Sequence, residues 1–200
     1  MNSTNGQTLS ETKIQDLLQR QIPVQATRPL LFSYHPAAVL IPLLLIGDDW
    51  HLLFIRRTEQ VQDHKGQVAF PGGRMELDDP NLEATALREA GEEIGLLAGD
   101  VKVLGRLPDL PTVSHYLITP VVVHIRWPLE LKLSESEVSR AFIIPLTWLA
   151  EPTHWLERPY RRSDGRVEDV IFFEVYQDEL LWGVTAQITI NLMRALQLIE

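Results

Sequence analysis

The chain has 200 residues, 45% of them hydrophobic, with 27 acidic against 18 basic side chains, a formal net charge of −9 and a pI near 5.1. That length supports one well-buried core and is short for two. The acidic balance argues against a nucleic-acid backbone as the main partner, because Lys and Arg supply most phosphate affinity, but it leaves open a small phosphate ester reached through bound cations. With no cysteine in the chain, disulfides, zinc-thiolate sites and thiol nucleophiles are excluded.

Met1 to Thr12 is polar, without a basic segment leading into an apolar run, so no secretory signal is expected. After Ser10, the residues Ile14, Leu17 and Leu18 repeat at helical spacing and predict a short amphipathic helix, to be read as a packing helix rather than a partner-binding arm. Pro23, Pro29 and Pro36 then punctuate an extended connection. Residues 1–35 are accordingly assigned to this helix and connection, and 36–200 to the main domain. Ala37–Ile46 is apolar but broken by Pro42, and about half the length that spans a bilayer. A soluble cytoplasmic chain without a membrane partner is the expectation.

Ala37–Ile46 and Trp50–Arg57 flank Gly47-Asp48-Asp49 and predict a hairpin. From Asn81 to Ile94 the pattern turns helical, with Leu82, Ala86, Leu87, Ala90 and Ile94 on one face and Gly95 as the stop. Strands are expected at Val101–Leu107, Leu117–Ile125 and Val170–Tyr176, the last entered through Ser163-Asp164-Gly165. Val184–Ile199 reads as a closing helix with Ile188, Leu192, Ala195 and Leu196 inward. The fold class is therefore α+β, a mixed sheet with flanking helices.

The chemistry is concentrated in Gly72-Gly73-Arg74-Met75-Glu76-Leu77-Asp78-Asp79 and Arg88-Glu89-Ala90-Gly91-Glu92-Glu93-Ile94-Gly95-Leu96. On a helix Glu89 and Glu93 share a face and Glu92 lies on its flank, so three carboxylates gather within one turn. Such spacing repels, and something positive is expected between them; three glutamates alone also describe a solvated acidic face. Arg88 and Glu92, at i and i+4, give one carboxylate an internal partner. Glu89 and Glu93 are then the freer pair for a hard cation of the Mg²⁺ or Mn²⁺ type. Gly91 costs the helix roughly 1 kcal/mol against alanine, which hints at close packing or a tolerated defect.

This segment resembles the Nudix box: Gly, five residues, Glu, seven residues, then Arg-Glu-aliphatic-X-Glu-Glu-X-Gly-aliphatic. The resemblance implies an αβα sandwich carrying a loop-helix-loop motif that hydrolyses a nucleoside diphosphate linked to another moiety. Two positions depart from the pattern. The loop from Gly73 to Arg88 is one residue longer, with Asp79, or Asp78 in a shifted register, where the first Glu is expected, and Ala90 replaces a bulkier aliphatic residue.

Upstream stand Leu53-Phe54-Ile55-Arg56-Arg57-Thr58 and His64-Lys65-Gly66-Gln67-Val68-Ala69-Phe70-Pro71-Gly72-Gly73. They resemble the signature that precedes the box in the coenzyme A diphosphatase branch, as do Glu137-Val138, Ile144-Pro145-Leu146 and Trp182-Gly183-Val184-Thr185-Ala186. The resemblance implies a CoA-type diphosphate as the small-molecule substrate. It makes Arg57, Arg56, His64, Gly66, Gln67, Gly72 and Arg74 candidate substrate-binding residues, with Lys65 beside them. Glu89, Glu92, Glu93 and Arg88 are the candidate catalytic residues; Glu89, Glu93, Glu92 and the Gly73 carbonyl are the candidate metal ligands, for Mg²⁺ or Mn²⁺. The general base stays open, within the box or on a later loop at Glu135 or Glu137. Alternatives are another nucleoside diphosphate derivative as substrate, or a ligand-sensing module. Leu192–Ile199 with Trp148, Trp155 and Trp182 could line a homodimer interface or the core.

Overall fold

The computed structural model describes residues 9–21, 34–60, 65–162 and 165–200. His64, Pro23, Pro29, Ser163 and Asp164 lie outside them. The apolar run from His35 to Ile46 forms β1, which turns at Gly47 into β2 (Asp49–Arg57). The two strands pair only near their turn, from Leu43–Leu52 to Ile46–Asp49, and then splay. The fork is filled from within the chain: β3 (Val68–Ala69) pairs with β2 and β4 (Gly72–Arg74) pairs with β1. Beyond β1, β7 (Tyr116–Ile125) runs parallel over ten residue pairs, and beyond β7 come β5 (Val101–Arg106) and the short β6 (Leu110–Pro111). On the outer side of β2 lies β8 (Val138–Pro145). The result is one mixed eight-stranded sheet.

Alternation along the strands explains why β1, β2 and β7 read as continuous apolar runs: both faces of the sheet are covered. Leu40, Leu44, Leu53, Ile55, Val121 and Val123 face one way, onto Ala86, Ala90 and Ile94 of helix α2 (Leu82–Ile94). Ile41, Leu43, Leu52, Phe54 and Val122 face the other way, onto α1 (Glu11–Gln19) and α4 (Gly183–Ala195), with the short α3 (Leu146–Leu149) beside them. These are the αβα layers. Ile14 and Leu18 of α1 are buried in the same core as β1 and α4, so α1 is a packing helix. Leu192, Ala195 and Leu196 are likewise core, with Trp148 and Trp155 packed against it. Among the described residues no helix is long and apolar enough to cross a membrane.

The expected strand at Val170–Tyr176 is displaced. Its place is taken by β10 (Val167–Phe173), which pairs with β9 (Trp155–Arg161) in a separate two-stranded sheet. Glu174–Tyr176 instead leaves the strand, because Tyr176 and Glu179 close a turn on each other through two backbone bonds of 3.0 and 2.9 Å. The strand β9, nearly all exposed, carries no alternation to announce it.

Candidate active site

Helix α2 begins at Asn81, whose side chain accepts the Ala84 N–H at 2.9 Å, and ends at Gly95, left-handed at φ 70°. Small residues at Ala86 and Ala90 let it lie close against the sheet, directly beneath the fork in the β1–β2 hairpin. Glu93 is thereby pressed inside the protein, 1% exposed. Its Oε2 accepts the Gly72 N–H at 3.0 Å and its Oε1 accepts from the Arg57 guanidinium at 3.1 Å. One turn earlier, Glu89 lies over Gly73, where a Cβ would force the carboxylate to shift. The Gly-Gly segment and the glutamates therefore form one unit: Gly73 leaves room for the Glu89 carboxylate, and Gly72 lies where a Cβ would meet the Ala38 carbonyl and Val39 of β1. At Gly91, by contrast, a Cβ would meet only the Leu96 carbonyl oxygen, at 3.3 Å.

Arg88 ties the loop to the helix. Its Nε and Nη2 donate to the two oxygens of Asp79, both at 3.1 Å, its Nη2 also to the Arg74 carbonyl at 2.9 Å, and its Nη1 to Glu92 at 3.3 Å. The same Nη1 is 3.1 Å from Glu89. Asp79 further accepts from the Glu76 N–H and the Thr85 hydroxyl, at 2.9 and 3.0 Å. Of the two aspartates, then, Asp79 meets the arginine, while Asp78 is exposed. The extra loop residue is accommodated without loss of that fork-to-fork pairing.

A third carboxylate comes from the far side. The loop after Ile125 lays Leu129, Leu131 and Leu133 against the α2 core and donates the Lys132 and Ser134 N–H groups to the carbonyls of Ile94 and Glu93, both at 2.9 Å. The Thr58 N–H holds the Glu137 carbonyl at 2.9 Å, and its hydroxyl holds that of Ser136. Glu137 is thus fixed beside the end of β2, close enough for its charge to act on Glu89 and Glu93. Glu135 is exposed.

The electrostatics separate these acids. Burial pushes Glu93 up to about 7, against the pull of the Gly72 N–H and Arg57, and the charges of Glu89 and Glu137 add to the rise. Glu89 is also raised, first by burial, against Arg88, then by Glu92 and Glu137. Asp79 moves the other way, to about 2, chiefly through its bonds to Arg88 and next through the Glu76 N–H. Arg88 is held above its ordinary range, first by Asp79. Negative charge at Glu89, Glu93 and Glu137 is thus in excess over the cations that face it.

Such a site fits a hard divalent cation. Among the described residues, no three His, Asp or Glu side chains are gathered closely enough to hold a metal by themselves. Mg²⁺-type ions, however, are characteristically held by one or two carboxylates and completed by substrate phosphate oxygens and water rather than by an all-protein cage. Glu89 and Glu93, both all-oxygen donors raised by burial, could supply that share.

The substrate-binding candidates divide. Arg57 and Gly72 meet at Glu93. The Gln67 carbonyl accepts the Arg57 N–H at 3.0 Å, and Gly66 donates to the Thr58 carbonyl at 3.3 Å, so this pair shapes the backbone beside Arg57. Arg74 is exposed and lies 4.9 Å from the Tyr116 ring centre, at the rim. Arg56 turns away from α2 toward Glu179. Two residues that the sequence did not single out, Arg140 and Glu179, share that second region; only the register of β8 against β2 could have revealed them.

Residues 34–181 match the NUDIX domain family. The chain belongs to the Nudix family. Among its relatives, the "Uncharacterized Nudix hydrolase NudL" of Yersinia enterocolitica is 36% identical over 93% of this chain and 92% of that one. The protein of the same name from Photorhabdus laumondii is 37% identical over 90% and 94%. In fold, the chain resembles a MutT/nudix family protein from Enterococcus faecalis, at a TM-score of 0.52 and 15% identity over 94% of this chain and 74% of that one. It also resembles the Nudix hydrolase RenU of M. smegmatis, at a TM-score of 0.50 and 20% identity over 58% and 74%. The α+β expectation therefore holds, and with family membership comes the Nudix reaction: hydrolysis of a nucleoside diphosphate derivative with a divalent cation.

Proposed function

We propose that this Nudix hydrolase cleaves the diphosphate linkage of coenzyme A or a CoA derivative, giving 3′,5′-ADP and 4′-phosphopantetheine, with Mg²⁺ or Mn²⁺ as the cation. The observation that carries the reading is the bond from Arg57 to Glu93, 3.1 Å, alongside the bond from Gly72 to the same carboxylate. Arg57 belongs to the segment that resembles the CoA branch and Glu93 to the box, so the two signatures meet on one side chain.

Glu89 and Glu93, with Glu92 and the Gly73 carbonyl, would hold the cation. When bound, the cation supplies positive charge to the diphosphate oxygens and makes water easier to deprotonate. Arg57, whose guanidinium reaches the same carboxylate, would donate to a diphosphate oxygen with planar, fixed geometry. Arg88 keeps Glu89 and Glu92 oriented while Asp79 anchors it. Glu137, near Glu89 and Glu93 yet outside the helix, would take the proton from the attacking water.

Product analysis on a panel of CoA, ADP-ribose, a diadenosine polyphosphate and an oxidised nucleotide, with each metal in turn, tests the assignment. The expected result is highest kcat/KM on CoA or an acyl-CoA with the two stated products. A higher kcat/KM on any other diphosphate overturns it.

A further inference from the structure

The second region, where Arg56 leads, contains an arrangement that the reaction centre does not use. Arg56 of β2 and Arg140 of β8 are direct partners across an antiparallel pair. Two like charges facing each other in that position repel, so a strand pair selected only for stability would not place them together. Between them lies Glu179, 4% exposed, with one oxygen 3.1 Å from Arg140 Nη1 and the other 3.6 Å from Arg56 Nη1. A single carboxylate thus bridges two guanidiniums and leaves the trio with one positive charge in excess. The carboxylate is inside and the cations are outside: the arginine side chains are 40% and 43% exposed.

The backbone is bent to make this possible. Tyr176 to Glu179 closes as a tight turn in which both central residues, Gln177 and Asp178, are left-handed, with φ of 50° and 68°. Neither is glycine, and neither conformation is one that L-residues adopt freely. Strained turns of this kind concentrate at binding sites. Here the turn delivers Glu179 to both arginines and the Gln177 carbonyl to Arg140 at 3.2 Å. Arg140 is further steadied over the Phe142 ring, 5.4 Å from its centre.

The arginines open onto a cleft of about 550 Å³, whose wall also holds Arg57, Thr58, Gln60 and Ser139 and two exposed carboxylates, Glu59 and Asp178. The one cleft is thus lined both by Arg57, which meets Glu93, and by Arg140. The strand register shifts between Arg56 and Arg57, so consecutive arginines reach the two ends of one cleft. Paired guanidiniums offer forked donors suited to a dianionic phosphate.

We infer that Arg56 and Arg140, braced by Glu179 as a positioning residue, form a second anion subsite that binds a phosphate monoester on the nucleoside half of the substrate. The inference rests on the reading above for the identity of that monoester, the 3′-phosphate of the adenosine. It does not rest on it for the existence of the site.

Binding of two product-like nucleotides to the full chain, measured by titration calorimetry, tests the subsite without turnover. Adenosine 3′,5′-bisphosphate and AMP share everything but one phosphate monoester. The wild-type chain is expected to bind the bisphosphate at least tenfold more tightly, and Arg140→Gln to bring that ratio to about one. Glu179→Gln should reduce the ratio while Arg140→Lys retains part of it; a residue needed only for packing would change thermal stability and leave the ratio alone. Arg56→Gln serves as the second variant if Arg140→Gln does not fold. Equal affinity of the wild type for both nucleotides, or an unchanged ratio in a folded variant, overturns the inference. A tenfold preference in a chain that hydrolyses another diphosphate better than CoA leaves the subsite standing and removes the proposed substrate; cleavage of CoA without the preference does the reverse.

Discussion

Glu93 and Glu179 are both almost fully buried carboxylates, each paired with an arginine at the end of β2, Glu93 with Arg57 at 3.1 Å and Glu179 with Arg56 at 3.6 Å. Around Glu93 stand Glu89 and Glu137, and the local excess is negative. Around Glu179 stand Arg56 and Arg140, two guanidiniums on one buried carboxylate. A buried charge is tolerable when paired, so the sign of what is left over after pairing tells which partner is awaited: a cation at the first, an anion at the second. Arg56 and Arg57, neighbours in sequence, are divided between the two.

The strongest way to break the comparison is to neutralise the first region. Glu93→Gln keeps the shape and the Gly72 bond but removes the charge. It is expected to lower kcat by about 10³-fold, the scale on which removing one electrostatic contributor acts. Circular dichroism should show an unchanged fold, since the variant relieves repulsion. A near-normal metal-dependent rate would remove Glu93 from the site. The exposed Glu92, 58% accessible and paired with Arg88 at 3.3 Å, should cost far less as Glu92→Gln, on the order of tenfold.

Next in size is Glu137→Gln. If Glu137 takes the proton, kcat should drop by about 10²-fold and the acidic limb of the pH–rate profile should change shape. A drop without any change in that limb would assign Glu137 to electrostatics alone and return the base to the box.

Asp79 sharpens the contrast from the side of stability. Asp79→Asn breaks a two-pronged, largely buried pairing with Arg88 and should cost about 2 kcal/mol, several degrees in Tm. Asp78→Asn, on an exposed side chain, should stay within about 0.5 kcal/mol. Because Arg88 holds Asp79 near 2, below its ordinary 3.8, its contribution is present above about pH 4 and fades as pH falls toward 2. Equal effects of the two substitutions would mean that the loop does not depend on this pair.

The parts of the fold written as long periodic runs were legible in the sequence. β1, β2, β7, α2 and α4 lie within a few residues of where periodicity put them, because burial on one or both faces dictates each side chain. Glu89, Glu93 and Arg88 were legible for the same reason, since helical spacing alone puts them on one turn. β9 was not, being exposed along its length. β3 and β4 were not either, as two and three residues carry no period; what holds them is the fork in the hairpin. Arg140 and Glu179 could not be found because their meeting depends on strand register and on a turn with two left-handed non-glycine residues. Local pattern encodes neither.

The smallest effect concerns protons and bears on the first region alone. Glu93 in the folded chain binds its proton up to about 7, against 4.5 for an ordinary glutamate. Between those values the folded state holds more protons than the unfolded one, so the metal-free chain should lose stability as pH rises from about 4.5 to 7. Cation binding displaces that proton, so Mg²⁺ or Mn²⁺ affinity should weaken as pH falls below 7. Scanning calorimetry of chelator-treated protein at pH 5 and pH 8, with and without metal, reads both effects. In Glu93→Gln the part of the pH dependence owed to this carboxylate should vanish, and metal should no longer raise Tm at pH 8. A Glu93→Gln chain that keeps the full dependence would place the excess negative charge elsewhere and undo the contrast with Glu179.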